Sequence, residues 1–281
     1  MVIALPEFTP AQESLFLTLG SRAIDSRLPR PFLGDTMSDE TIATIGYRLD
    51  KFPTLNTKLI GQRSKVFDVA VRTKRLDEIV RRFVAAEPDA VVLDLGAGLD
   101  GRMFRVNPPP TVQWYDIDFP EVIAIRRQVL PQPANTHSIA ADLTDPRWLQ
   151  DLPADRPAIM VADGVIPFLT HDDFVSLVYR LAGHFPDGQL ALNAYTTYGI
   201  WVLKHARAMR PIAGDVVNRG INDPRQPEHW ITGLTLIDEI LATRAPEVAD
   251  MPLIGRLASR LAGRSPAVSR RMATAVLHYR F

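Results

Sequence analysis

Not one of the 281 residues is a cysteine. That absence excludes disulfides, thiolate nucleophiles and thiolate-held zinc or iron–sulfur clusters. Long apolar runs are missing too: none approaches the roughly 18 residues of a membrane span. Met1 to Phe8 lacks the basic start and apolar stretch of a signal peptide, so a cytoplasmic protein without a membrane partner is expected. There is no surplus charge, with 32 Lys plus Arg against 32 Asp plus Glu. No net field therefore draws the chain to nucleic acid or an anionic membrane, although local patches remain open. The six histidines, His137, His171, His184, His205, His229 and His278, show no metal-ligand spacing, and no metal is expected. There is no internal repeat or low-complexity tract, and the length suits one α/β core domain with additions.

What is present centres on Val91-Val92-Leu93-Asp94-Leu95-Gly96-Ala97-Gly98-Leu99-Asp100-Gly101, an apolar strand running into a glycine turn. Roughly 20 residues on, Asp118 closes a second strand, an arrangement that builds an adenosine pocket. Gly96, Gly98 and Gly101 also spell G-x-G-x-x-G, the dinucleotide spacing in which backbone approaches a pyrophosphate. Asp94 and Asp100 argue against that ligand, because two carboxylates crowd a site where a diphosphate wants bare N–H dipoles. S-adenosylmethionine brings an ammonium and a sulfonium, for which the same acids are attractive.

The chain reads as three blocks. Thr9-Pro10-Ala11-Gln12 predicts a capping-box start for a helix carrying Leu15, Phe16 and Leu19. Ser38 is the expected cap of a second helix through Ile42 and Ile45, and a third runs from about Gln62 to Ala86. From Ala90, strands (Val91–Leu95, Val112–Ile117, His137–Ala140, Ala158–Ala162, Gly188–Ala194) alternate with helices near Met103–Val106, Glu121–Leu130 and Asp172–His184. That alternation predicts a parallel, doubly wound sheet. Further on, an apolar helix is expected around Leu234 to Leu241, a basic solvated loop over Ala245 to Arg271, and a last strand over Ala273 to Phe281. The expected division is a helical cap over residues 1–88 and a core over 89–281, with a substrate-covering insertion at about 196–235.

Each singled-out residue has two readings. The Gly96-Ala97-Gly98 turn passes close to a nucleoside ligand, or is a plain tight turn. Asp94 either holds the loop's N–H groups or faces a ligand ammonium. Asp118 can accept both vicinal ribose hydroxyls, but alternation puts Asp116 on the same strand face. Arg72 borders a buried stripe with Val69, Leu76 and Ile79; it clamps a ligand carboxylate, or pairs with Asp77 or another acid. Phe16, Tyr47, Tyr195, Tyr198, Trp201 and Trp230 line an apolar acceptor pocket or are core. Methyl transfer needs alignment more than acid–base chemistry, so a carboxylate acceptor requires no base. A phenol would benefit from one, for which His229 is the candidate.

Arg72-Thr73-Lys74-Arg75-Leu76-Asp77, the stretch Leu93 to Arg102, Trp114-Tyr115-Asp116-Ile117-Asp118-Phe119-Pro120-Glu121-Val122-Ile123, Ala141-Asp142-Leu143-Thr144-Asp145 with Trp148, and Ala162-Asp163-Gly164-Val165-Ile166-Pro167-Phe168-Leu169 form an ordered set. With it the chain resembles the leucine carboxyl methyltransferase family, in particular its bacterial branch of small-molecule O-methyltransferases similar to the tetracenomycin polyketide methyl-ester synthases. The resemblance implies an α/β, Rossmann-like class I methyltransferase fold, a mostly parallel doubly wound sheet with an N-terminal helical cap and a C-terminal antiparallel strand. It implies S-adenosyl-L-methionine as cofactor, a small-molecule acceptor, Arg72 as carboxylate clamp and Asp118 rather than Asp116 on the ribose. Asp142 and the Leu143 amide look like the adenine-binding segment, although Asp142 also reads as an N-cap. Asp163 stands where the family usually has glutamate, one methylene longer, and Gly101 where relatives often have threonine. Two other functions fit parts of the pattern: an NAD-dependent oxidoreductase, and a methyltransferase-like binding protein without acceptor chemistry.

Overall fold

The computed structural model describes residues 5–47, 62–272 and 274–281. Residues 1–4 of the stretch read for a leader, and Ala273 of the predicted last strand, lie outside the described residues. Before the sheet come α1 (Pro10–Glu13), α2 (Leu15–Ser26), α3 (Thr36–Ile45) and α4 (Gln62–Ala86). Thr9 caps α1 through the predicted box, its hydroxyl accepting from Gln12 N and the Gln12 amide oxygen accepting from Thr9 N at 2.8 Å. The expected single helix is two, because α1 ends at Glu13 and, after Ser14, α2 starts at Leu15. Asp35, not Ser38, caps α3, accepting from both the N–H and the hydroxyl of Ser38. A carboxylate suits a helix N-terminus better than a neutral hydroxyl does.

The core follows as β1 (Val91–Leu95), α5 (Arg102–Val106), β2 (Gln113–Asp118), α6 (Pro120–Val129), β3 (Thr136–Ala140), β4 (Ala158–Ala162), α7 (His171–His184) and β5 (Gly188–Ala194). Then come α8 (Thr197–His205), α9 (Gln226–Trp230), β6 (Thr235–Leu241), α10 (Leu253–Gly263), α11 (Pro266–Met272) and β7 (Ala275–Arg280). The seven strands lie in the order β3-β2-β1-β4-β5-β7-β6, parallel except for β7, which runs antiparallel to β5 and β6. Alternation divides the strands between two cores. Leu93, Leu95, Met160 and Ala162 pack with α7 on one face, and Val92, Ile159 and Val161 pack with Leu76, Ile79 and Phe83 of α4 on the other. The strand order reverses between β1 and β4, and ligands of such sheets bind beyond the carboxyl ends of the strands at that crevice.

Two C-terminal expectations are corrected. Leu234 to Leu241 is not a helix: Thr235–Leu241 pairs with β7 as an edge strand carrying a bulge between Leu236 and Asp238. An extra residue at a bulge shifts the side-chain phase, so the apolar positions lose the period of two and mimic a helical spacing. Ala245 to Arg271 is not a loop either, since α10 and α11 occupy most of it.

Candidate active site

The chain leaves β1 through Gly96 and Gly98, both at positive φ. A side chain at Gly96 would also stand 2.9 Å from Val165 Cβ, so the close approach of the β1 and β4 loops requires glycine there. The turn spends its amides internally. Gly96 N and Ala97 N donate to Ile117 O at 2.8 and 3.2 Å, and Gly98 N donates to Asp118 Oδ2 at 2.7 Å. Three N–H groups that a diphosphate would need are therefore engaged.

A cleft lies over this turn. Among the sequence-predicted residues it is lined by Asp94, Gly96, Ala97, Gly98, Asp118 and Asp163, with Asp100, Phe119 and Phe168 beside them. Asp118 receives one backbone N–H on each oxygen, from Gly98 and, at 2.8 Å, from Phe119. A carboxylate has about four acceptor sites, so it keeps capacity for two further donors. Burial pushes its pKa up to about 6, against those two hydrogen bonds. Asp116, its rival, does not line the cleft and accepts instead from Arg126 at 2.7 Å and from the Trp114 indole N–H at 3.0 Å.

Asp94 lines the cleft but does not hold the loop's N–H groups. It shares the α4 face of β1 with Val92, and there it accepts from Arg102 Nε at 3.1 Å rather than from the loop. Burial raises its pKa to about 7 despite Arg102. Arg102 also reaches Asp77, Asp100 and Asp163 at 2.9, 3.2 and 3.3 Å. Arg105 bridges Asp77, Asp35 and Asp100, and Arg22 reaches Asp35 and Asp100. Burial alone would raise Asp100, but Arg105, Arg22 and Arg102 hold it well below the usual carboxylate range. Sequence reasoning counted the acids and missed these arginines. The signal was an arginine at positions 22, 102 and 105 in otherwise apolar helical contexts.

Arg72 pairs with an acid, as one of its two readings holds, and the acid is Asp163 rather than Asp77. Its Nε donates to Asp163 Oδ1 at 2.8 Å and its Nη1 to the Tyr195 hydroxyl at 3.0 Å. Asp163 spends its other oxygen on Thr73 and Arg102. Burial opposes its ionisation, yet Arg72 and Arg102 keep its pKa below the ordinary value. Gly164, at φ +84°, takes a left-handed backbone conformation that favours glycine beside Arg72 Nη2.

Arg72 lines a second cavity, which shares Ser14, Thr18, Gly164 and Phe168 with the cleft. Its walls include Leu17, Val69, Pro167, Leu203, Ile212 and Val216, and its ionisable groups are Asp68, Arg72 and Tyr195. Burial raises the Tyr195 pKa although Arg72 pulls the other way, so the phenol stays neutral.

Several sequence candidates lie elsewhere. Of the six aromatic residues, Tyr195 alone lines this cavity. Phe16 is core, stacked on Tyr47 at 3.9 Å. Trp230 packs edge-on to His171, and Tyr198 and Trp201 stack on one another at the surface. His229 is exposed on α9 and lines neither cavity, as is true of every other histidine. Asp142 and Leu143 follow β3 but do not line the cleft; Asp142 accepts from the N–H and hydroxyl of Thr144 in a local turn, and the helical turn that follows is capped by Asp145, not by Asp142.

A switch-point cleft beside an apolar chamber, on a parallel sheet closed by an antiparallel last strand, defines a class I methyltransferase fold. A crystal structure of a candidate methyltransferase from Thermobifida fusca superposes with a TM-score of 0.53 at 16% identity, covering 92% of this chain and 93% of that one. The family model for leucine carboxyl methyltransferase matches residues 16–182. The tetracenomycin polyketide synthesis O-methyltransferase of Streptomyces glaucescens is 36% identical over 86% of this chain and 87% of its own length. An S-adenosyl-L-methionine-dependent methyltransferase of Gibberella zeae is 31% identical over 80% of each. The chain belongs to the leucine carboxyl methyltransferase family.

Proposed function

We propose that this chain, by family an S-adenosylmethionine-dependent methyltransferase, forms a methyl ester on the carboxylate of a small, largely apolar organic acid. The observation that carries the reading is the junction of the two cavities at Ser14, Thr18, Gly164 and Phe168. It sets the cleft over the glycine turn directly against an apolar chamber.

The residues of the cleft fit the cofactor. Of the four carboxylates on its walls, Asp94, Asp100 and Asp163 are paired with arginines, whereas Asp118 forms no ion pair among the described residues and is the acid left for a cationic ligand. When bound, S-adenosylmethionine supplies an electrophilic methyl on a sulfonium. Asp118 would hold the ribose hydroxyls, the Gly96–Gly98 turn the methionine portion, and Arg72 the cofactor carboxylate from the seam between the cavities. Asp142 and Leu143 would serve adenine only from the rim beyond β3. The engaged turn amides weigh against a dinucleotide.

On the acceptor side the chamber offers hydrogen-bond donors and no histidine. The neutral Tyr195 hydroxyl can donate to an acceptor oxygen, and apolar walls exclude water from the transfer. An ionised carboxylate needs no general base there, whereas a phenol would depend on Asp68. The name of the Streptomyces relative, a polyketide-synthesis O-methyltransferase, supports polyketide-like acids as the first acceptors to try.

The test is transfer of labelled methyl to a panel of aromatic and polyketide-like acids, followed by mild alkali. Ester products release methanol; alkali-stable ethers would overturn the carboxylate reading.

A further inference from the structure

α10 is built inside out. Its small residues Ser259 and Ala262 face the protein, while Leu253, Ile254, Leu257 and Leu261 face solvent, Ile254 at 83% exposure and Leu261 at 62%. Ile254, Leu257 and Leu261 recur at three- and four-residue spacing, one continuous stripe. Arg256, Arg260 and Arg264 run along its flank at a spacing of four. The neighbouring α11 adds exposed Val268 and Met272, and α8, which packs on α11, adds exposed Tyr198 and Trp201. A soluble surface scatters its apolar residues; a contiguous set on adjacent helices marks a docking face.

The charge around the face selects its occupant. From Met251 to Phe281 there is no Asp or Glu. Arg260, Arg264 and Arg271 form no ion pair among the described residues, and Arg244, Arg260 and Arg264 line one open groove that has no acid in its walls. A second copy docking two-fold would set this arginine row against its own equivalent with nothing to neutralise it. An outward apolar stripe flanked by arginines, with Tyr and Trp beside it, is the pattern of a helix lying in the headgroup region of an anionic bilayer.

We infer that α10, with the adjoining faces of α8 and α11, seats the enzyme on an anionic lipid surface. A third cavity lies between these same helices, lined by Val202, Leu203, Ser259, Arg271 and Met272, and it shares Asp68, Tyr195 and Leu203 with the acceptor chamber. Seating therefore turns the acceptor route toward the lipid, where an apolar acid partitions. The docking stands whatever the acceptor proves to be.

The test is co-sedimentation of the full chain with phosphatidylcholine vesicles, with and without about one-quarter phosphatidylglycerol. The wild type is expected on the anionic vesicles, less so on pure phosphatidylcholine and at high salt. Ile254→Glu/Leu257→Glu and Arg260→Glu/Arg264→Glu should each weaken partition by about tenfold or more. Both should bind S-adenosylhomocysteine as the wild type does, which shows that the fold is kept. Absence of the wild type from anionic vesicles, or partition unchanged in both variants, overturns the inference. A dimer that Ile254→Glu/Leu257→Glu dissociates in light scattering overturns it in favour of a self-interface.

Discussion

Asp116 and Asp118 stand two residues apart on one strand face, and their surroundings give them opposite tasks. Asp116 is satisfied by Arg126 and Trp114 and is structural; Asp118 keeps free acceptor capacity at the cleft. Removing Asp118 should weaken S-adenosylhomocysteine binding about ten- to a hundredfold, the worth of one good charged clamp. Calorimetry on Asp118→Ala checks this. The pH dependence follows from its pKa near 6 in the free protein. The ionised form accepts hydroxyl donors, so as pH falls below about 6 binding must displace a proton, and affinity drops by up to about tenfold per pH unit. Asp118→Asn should remove that dependence while leaving the neutral-pH loss. Tyr195→Phe deletes only the hydroxyl that meets Arg72 at 3.0 Å. It should raise the acceptor KM several-fold with little change in cofactor affinity, as measured by steady-state kinetics with both ligands varied.

At the scale of elements, most of the core was legible because its central strands are short apolar runs buried on both faces and its turns carry glycine, aspartate or proline. Ala158 to Ala162 and Gly188 to Ala194 lie where the pattern puts them. β6 was not legible, because its bulge scrambles the alternation. Nor was α10, whose apolar stripe serves no internal core and whose sequence reads as broken by Pro252 and Gly263. The site divides in the same way. The glycine turn follows from spacing and the choice of Asp118 over Asp116 from the family resemblance, but the partners of Asp94 depend on which helix covers β1, a tertiary fact that spacing does not carry. Gly220 shows how such packing is fixed: at φ +83° its Cβ would meet Thr196 C and Thr197 N at 2.5 Å. Gly220→Ala should lower urea-unfolding stability by at least about 1 kcal/mol, from the backbone conformation alone. It should also impair acceptor binding more than cofactor binding, since α8 walls the acceptor side through Leu203.

For the whole molecule, the arginine–aspartate network is the joint between the N-terminal helices and the sheet. Arg102 of α5, fully buried, ties Asp94 of β1 to Asp77 of α4 and to Asp100 and Asp163 in the loops after β1 and β4. Arg105 and Arg22 extend it to Asp35 at the head of α3. Breaking such a cluster from one side leaves charge buried and uncompensated, so Arg102→Met should cost about 3–5 kcal/mol, read by denaturant unfolding. The network's acids respond to pH in opposite senses. Asp100 and Asp163 have lowered pKa values, so their contribution is present above the unfolded carboxylate range and is lost as pH falls through the folded values. Asp94 is raised to about 7, so its contribution is complete below the unfolded value and is lost as pH rises through 7. Asp94→Asn removes that loss alone. Its stability relative to wild type should therefore climb as pH rises from about 4 to 7, by at most about 1.4 kcal/mol per pH unit. A flat difference across that window would mean that Arg102 keeps Asp94 ionised throughout. The cleft would then present one more permanent negative charge to its ligand at neutral pH.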